Sequence, residues 1–175
     1  LHSNASTDGR REGTVRGVIA FYYPGSANGK RAAGIFVRNL KDVYPLPDKV
    51  YASATTALGE VRQPYMPSVL LELGYHDNPA DALWVENNLE AIAANLVLSL
   101  TEYFGLPFVV PLTPWRGTVR TQGGPLNLRA APALNSAVVA AMPDGAPVTV
   151  YGRYQDWYTV GYNGLLGYAF ADYIT

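Results

Sequence analysis

The chain has 175 residues, of which 49% are hydrophobic and 15% are charged, and its formal net charge is −1. These values predict one ordinary domain, or a modest domain with a small second one, and exclude a mostly disordered chain. The near-zero charge argues against a nucleic-acid binder held by phosphate neutralisation. No run of 18 uncharged apolar residues occurs, so no membrane span is predicted. The chain has no Cys, which excludes disulfides, thiolate catalysis and Cys-ligated zinc.

The first half of the chain alternates strand and helix patterns. Val18 to Tyr23 is rich in β-branched and aromatic residues, which predicts a strand ended by Pro24. Ser26 is suited to cap the following helix. Apolar residues then recur at helical spacing up to residue 43, at Ala32, Phe36, Leu40 and Val43.

The segment Pro67–Asn78 (PSVLLELGYHDN) begins as an apolar run, which predicts a strand buried on both faces. Glu72 stands out within it, because a buried carboxylate is normally paired, protonated or next to a metal ion. We interpret Glu72 as a catalytic carboxylate. The alternative is a structural acid that is paired with Arg or accepts hydrogen bonds from backbone N–H groups.

A long helix is predicted next, from Pro79 to Tyr103. Asn78 is suited to be its N-cap, Pro79 occupies its first position, and Gly105 supplies a left-handed C-terminal cap. Strands that alternate with helices predict an α/β fold, with a mostly parallel sheet and flanking helices.

The composition changes at about residue 106. The segment 106–116 (LPFVVPLTPWR) contains three prolines and no helical period, which predicts a semi-rigid linker. Residues 117–175 consist of short β-rich runs separated by turn residues, typical of a small all-β barrel. The predicted organisation is therefore a first domain over 1–105, a linker over 106–116 and a second domain over 117–175.

Two stretches of the first domain resemble zinc-dependent N-acetylmuramoyl-L-alanine amidases. Leu1–Ala5 (LHSNA) resembles the strand end S-L-H-x-N-A of that family, and Pro67–Asn78 resembles its P-x-V-L-V-E-x-G-F-x-x-N strand and loop. The resemblance covers residues 1 to about 105 and implies the later part of the catalytic domain, with a sheet that is incomplete at its N-terminus.

The resemblance implies hydrolysis of the amide between N-acetylmuramic acid and the L-alanine of the peptidoglycan stem peptide. His2 matches a zinc ligand of the family, and Glu72 matches the carboxylate that takes a proton from water and returns it to the leaving amine. The family's other two ligands belong to motifs that are absent here, a D-x-G-H-G-G turn and an upstream Glu. We therefore expect this chain to be a fragment, whose zinc site is completed by an upstream segment of the same protein.

Three polar residues near these motifs are candidates for substrate contact: Asn4, His76 and Asn78. Each also has a simpler structural interpretation. Asn4 can fix the loop after His2 through bonds to the backbone, His76 can be an ordinary surface residue, and Asn78 can act only as a helix cap.

Residues 117–175 resemble a bacterial SH3-like domain. The resemblance rests on Gly117–Val119, Leu126–Pro132 (LNLRAAP), Asp156–Val160, the pair Gly167–Tyr168, and Tyr173–Ile174. Such domains often anchor hydrolases to peptidoglycan, so the resemblance implies a wall-binding role for Asn127, Arg129, Trp157 and Tyr168. The alternative is that the aromatic residues are barrel core and rim, and that Arg129 pairs within the domain.

The leading hypothesis is a secreted zinc-dependent peptidoglycan amidase with a wall-binding module, an autolysin located outside a bacterial cell or in its wall. Two alternatives stay open. The first is a non-catalytic peptidoglycan-binding or regulatory protein that retains an incomplete amidase fold. The second is an SH3-like interaction module on an unrelated α/β domain, which requires Glu72 to be ion-paired away from any metal.

Overall fold

The structure is a computed structural model that describes residues 1–6 and 12–175. The chain divides into two compact units, residues 1–106 and residues 107–175. No helix in the described part of the chain is both long and apolar enough to cross a membrane.

The first unit is a four-stranded sheet with flanking helices. Its strands are β1 (His2–Asn4), β2 (Val18–Tyr22), β3 (Val50–Ala54) and β4 (Val69–Tyr75). Its helices are α1 (Ala27–Leu40), α2 (Gly59–Arg62), α3 (Pro79–Asn87) and α4 (Leu89–Phe104), with a 3₁₀ turn at Pro47–Lys49. The strand order is β1-β4-β2-β3. The α/β prediction is confirmed: the β1–β4 and β2–β3 pairs are parallel, and only the central β2–β4 pair is antiparallel.

One face of this sheet forms the hydrophobic core. Val18 and Ala20 on β2 and Leu71 and Leu73 on β4 are buried in one cluster with residues of α1. Because side chains alternate along a strand, the intervening residues of β4 point to the opposite face. This alternation places Glu72 on the face away from the core cluster.

The start of α1 agrees with the sequence prediction. The Ser26 hydroxyl accepts a hydrogen bond from the Gly29 backbone N–H at 3.0 Å, which satisfies one of the free donors of the first turn. Ala32, Phe36 and Leu40 are buried on the predicted face of the helix.

The single helix predicted from Pro79 to Tyr103 is two helices, α3 and α4, separated at Asn88. Asn88 has φ −127° and ψ 22°, and its side-chain amide donates to the Trp84 carbonyl at 2.7 Å. A side-chain bond from Asn to a nearby backbone carbonyl competes with the backbone hydrogen bonds that continue a helix. The apolar pattern continues across Asn88, so the sequence does not reveal the break. Gly105 adopts the predicted left-handed cap with φ +68°.

The face of α4 that packs inward is more polar than the sequence pattern indicates. Asn95 and Ser99 are buried, whereas Leu89 and Leu100 are 62% and 45% exposed. The contact with α1 is made through Asn39, whose amide donates to the Ser99 hydroxyl at 3.1 Å and whose carbonyl accepts from Asn95 at 2.8 Å.

The second unit is a six-stranded antiparallel sheet. Its strands are β5 (Val110–Thr118), β6 (Leu126–Arg129), β7 (Val138–Met142), β8 (Pro147–Tyr154), β9 (Trp157–Tyr162) and β10 (Leu165–Phe170), followed by a 3₁₀ turn at Ala171–Tyr173. The strand order is β5-β8-β9-β10-β6-β7. Inward-facing residues such as Leu128, Val150 and Val160 are fully buried in its core. The prediction of a small all-β domain is confirmed.

The structure places most of the segment predicted as a linker, 106–116, in a strand instead. Residues Val110–Thr118 form β5 and pair with β8. Pro111 and Pro114 lack a backbone N–H, but β5 is at the edge of the sheet and pairs on one side only. Edge strands tolerate proline for this reason, so tertiary pairing overrides the local signal.

Candidate active site

Glu72 belongs to a row of four residues that crosses the whole sheet of the first unit. His2 on β1 is in register with Glu72 on β4, Glu72 is in register with Ile19 on β2, and Ile19 is in register with Tyr51 on β3. Residues in register on neighbouring strands project from the same face of a sheet. The sequence motifs around His2 and Glu72 therefore meet side by side, although 70 positions separate them in the chain.

Glu72 has an unsatisfied carboxylate oxygen. The Oε2 atom is buried, and no described residue forms a hydrogen bond with it. Leaving such a group unpaired costs roughly 1–3 kcal/mol, and more when it is charged. Buried polar atoms without a partner are rare in native proteins and indicate a functional role or an unseen water or ion.

His2 is exposed on the neighbouring strand. Catalytic zinc sites use three protein ligands and keep one position open for water. Within residues 1–6 and 12–175, no group of three or more His, Cys, Asp or Glu side chains is arranged to hold a metal ion. The His2 imidazole and the Glu72 carboxylate are neighbours in register, and by themselves they do not form a zinc site.

Tyr75 ends β4 next to an irregularity in the strand. Three residues on β1, from His2 to Asn4, correspond to four on β4, from Glu72 to Tyr75, and Gly74 has φ +85°. Burial raises the pKa of the Tyr75 phenol, and the nearby acidic groups of Tyr51 and Glu72 raise it further. The Tyr75 hydroxyl therefore stays protonated near neutral pH, within electrostatic range of Glu72.

Asp81 is a second acidic group at this end of the sheet, and it is fully satisfied. Its side chain is 0% exposed and accepts four hydrogen bonds: from Arg16 Nε at 2.8 Å, Tyr44 Oη at 2.7 Å, and the backbone N–H groups of Gly17 and Tyr75 at 3.1 Å each. Burial alone would raise the pKa of Asp81, but the bonds from Tyr44, Arg16 and the two backbone groups outweigh burial and lower it. This cluster ties the start of α3 to β2 and β4. The sequence alone does not reveal this cluster, because Arg16, Tyr44 and Asp81 are far apart in the chain.

The three residues predicted with lower priority for substrate contact all make structural bonds. The Asn4 side chain accepts from the Ala5 N–H at 2.8 Å, and the Asn4 carbonyl accepts from the His76 N–H at 2.9 Å. The His76 Nδ1 and Ser3 Oγ atoms lie 3.1 Å apart.

Asn78 is 8% exposed and caps α3 by accepting from the backbone N–H groups of Ala80 and Asp81. Its side-chain amide also donates to the Gly13 carbonyl at 2.8 Å. Both ends of the Asn78 side chain are thus used within the fold, which favours the capping interpretation over substrate contact.

The second unit contains a groove of about 470 Å³. Three of the four residues predicted to bind the wall line it, namely Asn127, Arg129 and Trp157, whereas Tyr168 is not among the lining residues. The wall of the groove is aromatic, with the Trp157 and Phe170 rings in edge-to-face contact at 5.5 Å. Arg129 donates from one guanidinium nitrogen to the Ser136 carbonyl at 2.9 Å.

Comparisons with known proteins match both units. The family model described as N-acetylmuramoyl-L-alanine amidase matches residues 1–102, and the model described as bacterial SH3 domain matches residues 124–175. No curated protein sequence is significantly similar to the chain.

Among solved structures, the CwlD amidase from Clostridioides difficile in complex with the GerS lipoprotein is 21% identical, with a TM-score of 0.51 over 59% of this chain and 51% of that chain. The catalytic domain of CwlV, an N-acetylmuramoyl-L-alanine amidase from Bacillus (Paenibacillus) polymyxa var. colistinus, is 21% identical, with a TM-score of 0.48 over 59% of this chain and 55% of that chain. NlpC2 from Trichomonas vaginalis is 19% identical, with a TM-score of 0.33 over 36% and 23%. The chain thus spans about half the length of the two amidase structures and less of the third. The likeness to CwlD supports the fold.

Proposed function

Because the chain belongs to the N-acetylmuramoyl-L-alanine amidase family, we propose that it takes part in hydrolysis of the amide that joins N-acetylmuramic acid to L-alanine in peptidoglycan. The observation that carries this proposal is the buried, unpaired Oε2 atom of Glu72, in register with His2. A general base needs a free lone pair within reach of the water that it activates, and Glu72 keeps one.

Glu72 acts first as a base and then as an acid. Its carboxylate takes a proton from the attacking water, and the resulting carboxylic acid returns that proton to the leaving amine of L-alanine.

Zinc is the cofactor that we propose for this site, since it would supply an acidified water and polarise the amide carbonyl. His2 would contribute one imidazole ligand. The part of the chain that the structure describes contains no complete ligand set, so we propose that an upstream segment of the same protein provides the remaining ligands. On this view, the 175 residues alone have little or no activity.

The second unit is proposed to hold the enzyme on its polymeric substrate. Its groove combines an aromatic wall with the Arg129 cation and the Asn127 amide, a combination suited to peptidoglycan stem peptides or glycan. A substrate in the cell wall implies that the protein works outside a bacterial cell as a secreted autolysin.

Replacement of Glu72 by Gln tests the catalytic role. With the missing ligands supplied by co-expression of an upstream segment, Glu72→Gln is expected to lower amidase activity at least about 100-fold, because general acid–base catalysis typically contributes 10²–10⁴-fold. Binding to insoluble peptidoglycan should be unchanged. Glu90→Gln, at an exposed position on α4, is the matched control and should keep full activity.

The alternative function is a non-catalytic peptidoglycan-binding or regulatory protein. It is favoured by the absence of a three-ligand cluster among residues 1–6 and 12–175. Zinc content measured by atomic absorption separates the two functions. Failure of the parent protein to bind zinc, together with no amidase activity for Glu72→Gln to lower, even with the upstream segment present, would favour the alternative.

A further inference from the structure

The groove of the second unit carries a positive charge that its surroundings do not neutralise. Among the described residues that line the groove, Arg129 is the only charged one. Its Nη1 atom donates to the Ser136 carbonyl at 2.9 Å, and its other guanidinium nitrogens form no hydrogen bond or ion pair with a described residue. A guanidinium carries five N–H donors and is charged at neutral pH. One bond therefore fixes the side chain, and the edge formed by Nε and Nη2 is left for a ligand.

Asn127 continues this polar part of the groove along β6. Residues two positions apart on a strand point to the same face and lie about 7 Å apart along it, so Asn127 is beside Arg129. The Asn127 side-chain amide has no hydrogen-bond partner among the described residues. An extended peptide advances about 3.4 Å per residue, so two of its residues span the same distance. A peptide whose carboxylate pairs with Arg129 therefore presents a backbone group to Asn127.

The rest of the groove wall is apolar and partly open. The Phe170 ring contacts both Trp157 and Tyr173, with ring centroids 5.5 Å and 6.2 Å apart. Trp157 is only 8% exposed, whereas Tyr173 is 44% exposed and Leu134, in the loop between β6 and β7, is 76% exposed. Tyr173 and Leu134 thus have apolar surface that a small side chain, such as that of alanine, can cover.

The charge of the groove distinguishes the two components of peptidoglycan. The sugars carry neutral hydroxyl and acetamido groups, and the carboxyl group of N-acetylmuramic acid is used in the amide bond to the peptide. A stem peptide that is not cross-linked carries free carboxylates. Arg pairs with a carboxylate through two parallel hydrogen bonds, which a neutral sugar cannot match. The groove therefore fits the peptide better than the glycan.

We propose that the groove binds stem peptides rather than glycan, and that Arg129 pairs with a free carboxylate of the peptide while Tyr173 and Leu134 contact its apolar side chains. This inference rests on the proposed wall-binding role of the second unit and names the component of the wall that the unit recognises. It assigns contacts to Tyr173 and Leu134, which the motif resemblance does not indicate. Asn127 binds the peptide backbone.

Amidation of the peptide tests the role of the carboxylate. A soluble stem tetrapeptide that ends in D-alanine is titrated into the ¹⁵N-labelled chain, both as the free acid and with its carboxylates amidated. The backbone amides of β6 and β10 report binding to the second unit. The peptide lacks the muramoyl amide, so it is not a substrate of the proposed reaction. The free acid is expected to bind about 5- to 30-fold more tightly than the amidated form, as expected for a charge-assisted bond.

Arg129→Gln should abolish this difference, because the two changes remove the two partners of one interaction. Tyr173→Ala and Leu134→Ala should instead weaken both forms of the peptide by a similar factor, and the preference for the free acid should persist. Arg116→Gln is the matched control, because Arg116 lines a different cavity of the same unit. It should leave both affinities unchanged.

Three results would overturn the inference: equal binding of the two peptide forms, a preference for the free acid that persists in Arg129→Gln, or Arg129-dependent shifts of the same amides by peptide-free glycan. With any of these results, a chain that still pellets with intact peptidoglycan retains its wall-binding role, and only the assignment to the peptide fails. A chain that does not pellet with peptidoglycan lacks the wall-binding role itself, and the inference fails with it.

Discussion

Asp81→Asn is the substitution whose effect on stability follows most directly from the structure. Asp81 Oδ1 accepts from Arg16 and Tyr44, and Oδ2 accepts from the backbone N–H groups of Gly17 and Tyr75. In either orientation, the amide nitrogen of an Asn side chain would face two donors and lose their hydrogen bonds. Breaking a buried ion pair by removing one partner costs about 3–5 kcal/mol. Arg16 is 24% exposed and can recover some hydration, so we expect a loss of unfolding free energy near 3 kcal/mol.

The same substitution should change how stability depends on pH. The pKa of Asp81 is lower in the folded chain than its ordinary value, so the stability from its charge is fully present above that ordinary value. This contribution is lost as the pH falls through the folded-state pKa. The difference between the parent chain and Asp81→Asn should therefore be constant between pH 6 and 7 and shrink below about pH 4.

Urea denaturation followed at the indole N–H of Trp84 measures this effect in the first unit alone. Trp84 is buried, and its Nε1 donates to the Val43 carbonyl at 3.1 Å. Glu90→Gln serves as the exposed control; it removes only a first-turn charge of α4 and should cost well under 1 kcal/mol. A loss below about 1 kcal/mol for Asp81→Asn, or a difference that does not vary with pH, would refute the view that this cluster stabilises the end of β4.

Two further predictions concern the groove and the surroundings of Glu72. Arg129→Gln should weaken pelleting of the protein with peptidoglycan about 5- to 30-fold, since a charge-assisted bond contributes roughly 1–2 kcal/mol. Arg116→Gln, at a residue of a different cavity in the same unit, should have no effect, and equal losses for the two variants would argue against the groove. Glu72→Gln should lower the pKa of Tyr75, because it removes a nearby negative charge that opposes phenol ionisation. NMR titration of the ring carbon of Tyr75 measures this shift, and an unchanged pKa would mean that the two groups are not close.

The sequence predicts the elements whose signals are local. Ser26 and Gly105 mark helix ends through requirements of one or two residues, and the apolar run around Glu72 marks a buried strand without reference to the rest of the chain. The break at Asn88 and the strand that contains Pro111 were not predicted. The strand depends on pairing with β8, which a local pattern does not contain. The break at Asn88 has a local cause, the bond from its side chain to the Trp84 carbonyl, but the continuous apolar pattern around it hides this signal.

The candidate site, too, is only partly predictable from the sequence. Motif resemblance finds His2 and Glu72, but their neighbours Ile19 and Tyr51 become visible only through the strand order β1-β4-β2-β3. The β2–β4 pair is antiparallel within an otherwise parallel sheet. The sequence predicts a mostly parallel sheet. A parallel pairing of β2 with β4 would give a different register, so it would not predict that Ile19 lies opposite Glu72.

A comparison of the buried Asp81 with the half-buried Glu72 separates structure from function in the first unit. Asp81 has four donors and a lowered pKa, so it remains charged and is unsuited to exchange a proton near neutral pH. Glu72 lies three residues before the irregular end of β4 and keeps a buried oxygen without a donor from any described residue. The fold already provides backbone and side-chain donors for Asp81 at this end of the sheet. Glu72 thus has no hydrogen-bond donor to this oxygen among the described residues, although donors are available to Asp81 nearby. A carboxylate must keep such a free lone pair in order to accept a proton from water.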